Sequence, residues 1–161
     1  VVNAVLGGWQ VNGILTFQSG IPLIMTQAVN NTNLFSTSQR PTWTGQDPNI
    51  DGSTVSKGEH ILRWFDTSVF SVTPAFQFGN TPRVQPDLRA DGVKNLDLSV
   101  FKNNYFRDGK WNAQVRLEMF NALNRVQFGA PNTQVGNGNF GIVSSQANGP
   151  RQVQLALKLI F

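Results

Sequence analysis

Hydrophobic and polar residues alternate most strictly over the last ten residues of the chain. Hydrophobic side chains occupy every second position from Val153 to Phe161, and polar or small residues stand between most of them. Because successive side chains of a strand point to opposite faces, residues 152–161 predict a strand with one apolar and one mostly polar face. A strand of about 9 to 11 residues with this pattern crosses a bilayer as a tilted member of a β-barrel. An amphipathic edge strand of a soluble β-sandwich alternates in the same way, so both alternatives stay open at this point.

The same period of two recurs along the chain. It predicts strands near 9–17, 93–101 and 111–121, and a weaker strand at 23–27. A helix from Arg116 to Arg125 is the alternative for the second half of segment 111–121, since some apolar residues there also recur at helical spacing. With the terminal strand, these segments predict an all-β fold with about five long antiparallel strands.

Two intervening segments, 28–91 and 122–150, are rich in Asn, Thr, Ser, Pro and Gly and show no sustained period. They predict long loops, which are uncommon in compact soluble domains and normal on the extracellular side of outer-membrane barrels. An aromatic block within 63–83 predicts that part of the first loop packs back as a folded lid. Packing inside the loop is the favoured interpretation of Trp43, Trp64 and Phe65, and the alternative is that they contact a sugar or peptide ligand.

Composition supports the membrane alternative. Only 14% of the 161 residues are charged, against about 25% in soluble domains, while 40% are hydrophobic. The net charge is +4, but the 13 Lys and Arg residues are spread singly along the chain, which argues against nucleic-acid binding. There is no cysteine, which excludes disulfides, and no run of about 18 apolar residues that would predict a membrane-spanning helix. The chain starts at Val1 without initiator Met or signal peptide, so we expect a processed product or a fragment of a longer protein.

Motifs for catalysis or cofactor binding are weak. His60 is the only histidine, which rules out a two-histidine metal site. Gly136–Gly141 matches the spacing of the dinucleotide fingerprint, but no buried strand precedes it and no helix follows. The loop aspartates lack the spacing of a calcium loop. The sequence therefore predicts no catalytic residue, no cofactor and no bound metal, and we do not expect an enzyme.

Three charged residues lie on the polar faces of the predicted strands. They are Asp97, Arg116 and Glu118. In a barrel these faces point into the lumen, where we expect the side chains to brace the wall or to contact a plug.

The carboxy-terminal segment resembles the β-signal of bacterial outer-membrane proteins. The resemblance rests on Gln154, Ala156, Leu159 and Phe161, with Ala156 standing where the pattern usually has Gly. It implies localisation in the bacterial outer membrane, contact with outer-membrane lipid, and recognition by the barrel-assembly machinery.

Several further motifs, in the same order, resemble the carboxy-terminal barrel strands of TonB-dependent receptors. They are Asn95–Asn103, Arg116–Asn124, Gln127–Pro131 and Gly149–Gln152. The closest similarity is to the Oar-like subgroup, which carries a carboxypeptidase-regulatory-like domain.

That family implies a barrel of about 22 strands, plugged by an amino-terminal domain, which imports bulky ligands through TonB. Residues 1–161 are then interpreted as the carboxy-terminal portion of such a barrel, contributing to ligand uptake or surface display. The plug and the contact with TonB would come from an amino-terminal part that this sequence lacks. The alternative function is a secreted or surface all-β binding module, such as a carbohydrate-binding sandwich, with no transport role.

Overall fold

The computed structural model describes residues 6–33, 35, 38–107 and 109–161. The chain divides into two compact units. Unit 1 consists of Val1–Gln18, Val93–Gln127 and Asn148–Phe161, and unit 2 consists of Ser19–Gly92 and Phe128–Ala147. Within the described ranges, no helix is both long enough and apolar enough to cross a membrane.

Strands dominate the secondary structure, which confirms the all-β fold class. The elements, in chain order, are β1 (Trp9–Gln18), β2 (Pro22–Leu23), β3 (Thr26–Gln27), β4 (Thr42–Trp43), α1 (Lys57–Leu62), the 3-10 helix η1 (Thr67–Val69), β5 (Phe70–Ser71), β6 (Gln85–Arg89), β7 (Val93–Phe106), β8 (Trp111–Phe120), β9 (Gln134–Val135) and β10 (Gln152–Ile160).

Unit 1 is a single open sheet in which the strands follow the order β1-β7-β8-β10. Every neighbouring pair is antiparallel. β7, β8 and β10 each pair with the long strand that comes before them in the chain. The register places like residues in rows across the sheet. Val11 lies opposite Val100, which lies opposite Leu117, which lies opposite Leu155. Because the side-chain period is two, this register gathers most hydrophobic positions of the four strands on one face. The exceptions include Ile14, Phe101, Phe120 and Ile160 on the opposite face, and Lys94 and Lys102 on the apolar face.

Segment 23–27 is not the weak strand that the sequence predicts, and the sheet has four long strands rather than five. β2 pairs with β6 and β3 pairs with β9, while Leu23 and Met25 are buried in the core of unit 2. Pro22 has no backbone N–H to offer a ladder, and the two apolar side chains gain more by filling that core than by extending a sheet face.

The two ends of the sheet differ in their connections. A tight turn joins β7 to β8, with Gly109 at φ +85 and the N–H of Lys110 donating to the carbonyl of Arg107 at 3.2 Å. The sequence predicts turns at Asp108-Gly109 and Ser19-Gly20 and, from strand parity, places both on the same side of the sheet. Asp108 lies outside the described residues. Ser19 and Gly20 follow β1 at the opposite end of the sheet, because β1 runs antiparallel to β7, so the expectation of a common side is wrong.

Unit 2 is folded where the sequence predicts mainly loops. Its core contains Phe65, Val69, Phe70 and Leu88, with Phe140 packed against it. The rings of Phe65 and Phe140 meet edge to face at 5.2 Å between centroids. Phe65 and Phe70 of the aromatic block therefore pack inward, as the sequence predicts, into a core that includes residues of both loop segments. Phe76 and Phe78 of the same block are exposed, contrary to that prediction.

Candidate functional site

The apolar face of unit 1 is open over all four strands. Its residues include Phe17 on β1 (69% exposed), and Leu155 (73%) and Leu157 (68%) on β10. Contiguous apolar patches larger than a few hundred Å² mark interaction surfaces with membranes or other proteins. A single layer with this face uncovered is also not a β-sandwich, whose two sheets cover each other's inner faces. The face therefore has the character of a lipid-contacting surface.

Aromatic rings collect at one end of this face. Trp111 and Phe161 stack with 5.4 Å between ring centroids, and Phe106 lies opposite Trp111 in the register. A basic group accompanies them, since the Arg107 guanidinium lies 5.8 Å from the Trp111 ring. Lys102 Nζ lies 5.5 Å from the Trp9 ring, in the row of Val115 and farther from this end. Aromatic rings with flanking Lys and Arg are typical of the boundary between hydrocarbon and headgroups.

The opposite face carries a charged cluster at its centre. Arg116 Nη2 donates to Glu118 Oε1 at 2.9 Å, and both side chains are partly buried. The guanidinium lies 4.7 Å from the centre of the Phe101 ring. Ala156 lies directly opposite Arg116 on β10, and its small side chain leaves room for this arrangement. Arg116 Nε is buried and has no hydrogen-bond partner among the described residues, so one N–H donor of this cluster is unsatisfied.

Asp97 lies on the same face, two rows nearer the end that leads into unit 2. Its Oδ1 accepts from Asn95 Nδ2 and from the backbone N–H of Asn121, both at 2.9 Å. The structure thus places Asp97, Arg116 and Glu118 on one face, with Arg116 and Glu118 in direct contact.

Asn121 is a structural residue that the sequence analysis did not single out. It ends β8 with φ +50 and is 8% exposed. Its amide donates to the carbonyls of Arg125 (3.0 Å) and Gly149 (3.2 Å) and accepts from the N–H of Arg125. Asn tolerates the left-handed conformation and imitates backbone groups. The sequence signal for this role is an Asn at the end of an alternating segment, where a strand stops and a turn begins.

The β-signal candidates divide between the two faces. Gln154 and Ala156 belong to the polar face, opposite Glu118 and Arg116, whereas Leu159 and Phe161 belong to the apolar face. Phe161, the aromatic residue among these four, stacks on the Trp111 ring of β8.

The loop aromatics lie in three different settings. Phe65 is 0% exposed, because the core of unit 2 encloses its ring, and it follows the packing interpretation rather than ligand contact. The Trp64 ring lies 4.4 Å from the His60 ring at an interplanar angle of 36°, and Trp64 Nε1 donates to the carbonyl of Arg89 at 2.8 Å. Trp43 borders a cleft together with Asp47 and residues of β6.

Acidic side chains of unit 2 serve mainly in local turns. Hydrogen bonds from Asn49 lower the pKa of Asp47, and those from Ser53 lower the pKa of Asp51. Hydrogen bonds from Ser68 and then from Arg63 lower the pKa of Asp66. No group of three or more metal-binding side chains occurs within the described residues. The glycine-rich segment Gly136–Gly141 forms turns after the short strand β9, with no helix following.

Comparison with known proteins identifies one family. A family model described as "Outer membrane beta barrel domain" matches residues 1–154. Neither the curated proteins nor the solved structures contain a match to this chain.

Proposed function

Because the chain belongs to the outer membrane beta barrel domain family, we propose that it forms part of the barrel wall of a TonB-dependent receptor that takes up ligand or displays it at the cell surface. The family match establishes that the chain belongs to a bacterial outer-membrane β-barrel protein. Membership of the TonB-dependent class, and of its Oar-like subgroup, is the proposed part. It rests on the resemblance of the motifs around Asn95–Asn103, Arg116–Asn124 and Gln127–Pro131.

The observation that carries the barrel wall is the two-faced sheet. Its apolar face meets the requirements of lipid contact, with an aromatic and basic boundary at one end. Its polar face holds an ion pair, amides and a carboxylate, as expected of a wall around an aqueous or plugged lumen. The described strands number too few to surround a lumen, since even small barrels need about eight. We therefore propose that the outer edges of β1 and β10 pair with further strands of the same barrel.

The orientation follows from the chemistry of the carboxy terminus. With Phe161 at the periplasmic boundary, the Arg107–Lys110 turn lies on the periplasmic side. Both excursions of the chain into unit 2 then start and end on the extracellular side. Short turns inside and long excursions outside are the usual arrangement in such barrels.

We propose four partners for this chain. Outer-membrane lipid would cover the apolar face, and the barrel-assembly machinery would bind the β10 segment that ends at Phe161. A plug domain would approach the polar face, where Arg116 Nε is buried without a partner among the described residues, and TonB would act through that plug. No catalytic chemistry is part of this proposal.

Single-cysteine labelling tests the two faces, since the chain contains no cysteine. Gln154→Cys and Leu155→Cys are neighbours on β10 and belong to opposite faces. In isolated outer membranes, we expect a lipid-soluble maleimide to modify Leu155→Cys and a charged, water-soluble maleimide to modify Gln154→Cys only. Equal reaction of both positions with the water-soluble reagent would contradict the barrel wall.

Cross-linking in intact cells tests the finer part of the proposal. We expect formaldehyde to link the outer-membrane protein to TonB, and the link to weaken when an uncoupler collapses the proton-motive force. An outer-membrane, heat-modifiable protein that never links to TonB would leave the barrel standing and refute the receptor class.

Truncation tests the role of the carboxy terminus. Deleting Phe161 removes the stack on Trp111 and the last residue of the proposed assembly signal, so we expect a smaller heat-modifiable fraction in the outer membrane. Phe161→Tyr keeps an aromatic ring and serves as the control. Unchanged assembly of the deletion would count against the signal.

A further inference from the structure

A cleft in unit 2 combines features that point to a ligand. It has a volume of about 350 Å³ and is lined by the loop after β4 and by β6. This volume lies at the lower end of the roughly 300–1,000 Å³ of small-molecule sites. The side chains that matter are Trp43, Asp47, Gln85 and Asp87. None of them has a part in the barrel wall described above.

Gln85 is the observation that distinguishes this cleft from an ordinary surface depression. The residue is 4% exposed, and its Nε2 is buried without a hydrogen-bond partner among the described residues. Leaving a buried amide donor unsatisfied costs about 1–3 kcal/mol. Gln85 lines the cleft, so a ligand acceptor that reached this nitrogen from the cleft would satisfy it.

Trp43 is held in place by its neighbours. The Asn80 side chain accepts from the backbone N–H of Trp43 at 2.6 Å and donates to its carbonyl at 2.9 Å. The indole Nε1 donates to the carbonyl of Gln46 at 2.9 Å. Gly45, with φ +86, permits the tight turn between them. The ring is therefore positioned before any ligand arrives, which lowers the entropy lost on binding.

Two carboxylates complete the lining. Asp47 Oδ1 accepts from the backbone N–H and the side-chain amide of Asn49 at 2.9 and 2.7 Å, which fixes its orientation. Asp87 lies two residues after Gln85 on β6, and both aspartates are exposed to solvent. The cleft thus offers one carboxylate held by hydrogen bonds and a second, exposed carboxylate beside a buried donor.

We infer that this cleft binds a neutral saccharide, with the Trp43 ring against a sugar face, hydroxyls donating to Asp47 and Asp87, and one sugar oxygen accepting from Gln85. A hydroxyl group both donates and accepts, so vicinal hydroxyls satisfy the carboxylates and the amide together. A cationic side chain would satisfy the carboxylates and leave the Gln85 donor unpaired. The inference goes beyond the proposed transport role and stands without TonB.

The test uses the protein extracted from outer membranes in a detergent without a sugar headgroup, such as an amine oxide. Maltose, cellobiose and N,N′-diacetylchitobiose are titrated to about 10 mM, with trilysine as the cationic probe, and binding is followed by saturation-transfer NMR and tryptophan fluorescence. We expect saturable binding of at least one disaccharide and none of trilysine. Binding of trilysine alone would replace the saccharide by a cationic peptide, and binding of no disaccharide would overturn the inference.

Matched variants locate the site. We expect Trp43→Leu and Asp47→Asn to weaken binding about fivefold or more. Phe78→Leu and Asp51→Asn remove an exposed aromatic ring and a carboxylate from unit 2 outside the cleft and should leave binding unchanged. Gln85→Met removes the buried donor without adding a charge and should weaken binding about fivefold. Heat modifiability and circular dichroism check that every variant is folded, and equal losses in both members of a pair would refute the site.

Discussion

A charge introduced at Leu157 tests directly whether lipid covers the apolar face. Leu157 lies near the middle of β10 and opposite Val115, which lies near the middle of β8. It is 68% exposed, so a longer side chain meets no protein atoms that it would have to displace. Any cost of Leu157→Arg therefore comes from the medium outside the sheet rather than from overpacking.

The expected magnitude follows from depth. An arginine on the lipid face of a barrel costs about 2–4 kcal/mol at the bilayer midplane and about 0–1 kcal/mol near the interfaces. Leu157 is central, so we expect about 3 kcal/mol, which is roughly a 150-fold shift of the folding equilibrium. Leu159 is two residues nearer the Trp111–Phe161 end, and Leu159→Arg should cost about 1 kcal/mol. Gln154→Arg points to the other face, opposite Glu118, and should change stability by less than about 0.5 kcal/mol.

The measurement is a urea titration of the outer-membrane protein reconstituted in phosphatidylcholine vesicles, with the heat-modifiable fraction as readout. The expected order of destabilisation is Leu157→Arg, then Leu159→Arg, then Gln154→Arg. A Leu157→Arg variant as stable as Gln154→Arg would show that water, and not hydrocarbon, contacts this face. Equal costs at Leu157 and Leu159 would show that the face is covered by protein, because a protein interface has no depth profile set by a bilayer.

Three further predictions concern the polar face and unit 2. Arg116→Leu leaves the partly buried Glu118 carboxylate unpaired and should cost about 1–3 kcal/mol in the same urea titration; the double variant with Glu118→Leu should recover part of that loss, and strictly additive costs would argue against the pairing. Gly79→Ala places a Cβ against the backbone carbonyl oxygens of Arg40 and Pro41 and should lower the thermal stability of unit 2 by about 1–3 kcal/mol. Gly138→Ala, which meets nothing within 4 Å, is its control, and equal melting temperatures would contradict the clash. The pKa of Asp66 is lowered in the folded state, first by the Ser68 hydroxyl, so its stabilising contribution is present above about pH 4 and is lost as pH falls through the folded-state pKa. Asp66→Asn should flatten the stability difference between about pH 5 and pH 2, and an unchanged acid profile would contradict this role.

The sheet illustrates what alternation predicts well. The observed β1, β8 and β10 each lie within a residue of the segments expected near 9–17, 111–121 and 152–161, and β7 runs five residues beyond 93–101. Alternation is a local property, because the pleat sends every second side chain to the same face whatever the rest of the chain does. The extension of β7 to Phe106 includes a polar stretch around Asn103 and Asn104, where hairpin pairing with β8 maintains the strand although the pattern fades.

The site residues divide in a similar way. The sequence places Asp97, Arg116 and Glu118 on one face by parity alone. It does not reveal that the guanidinium of Arg116 lies over Phe101 or that Ala156 makes room for it, because these contacts depend on the register between three strands. Hydrophobic parity restricts register only to steps of two residues.

What the sequence by itself determined is the strand content, the two-faced character of the sheet and the kind of surface it presents, since each follows from local side-chain spacing and chemistry. Only the tertiary structure decided how segments far apart in the chain combine. Leu23 and Met25 leave the sheet region to join Phe65 and Val135 in one core, and Trp43, Asp47 and Gln85 meet around one cleft. The physical reason is that burial of apolar surface is non-directional and has no period, so a loop-rich segment shows no pattern that names its partners.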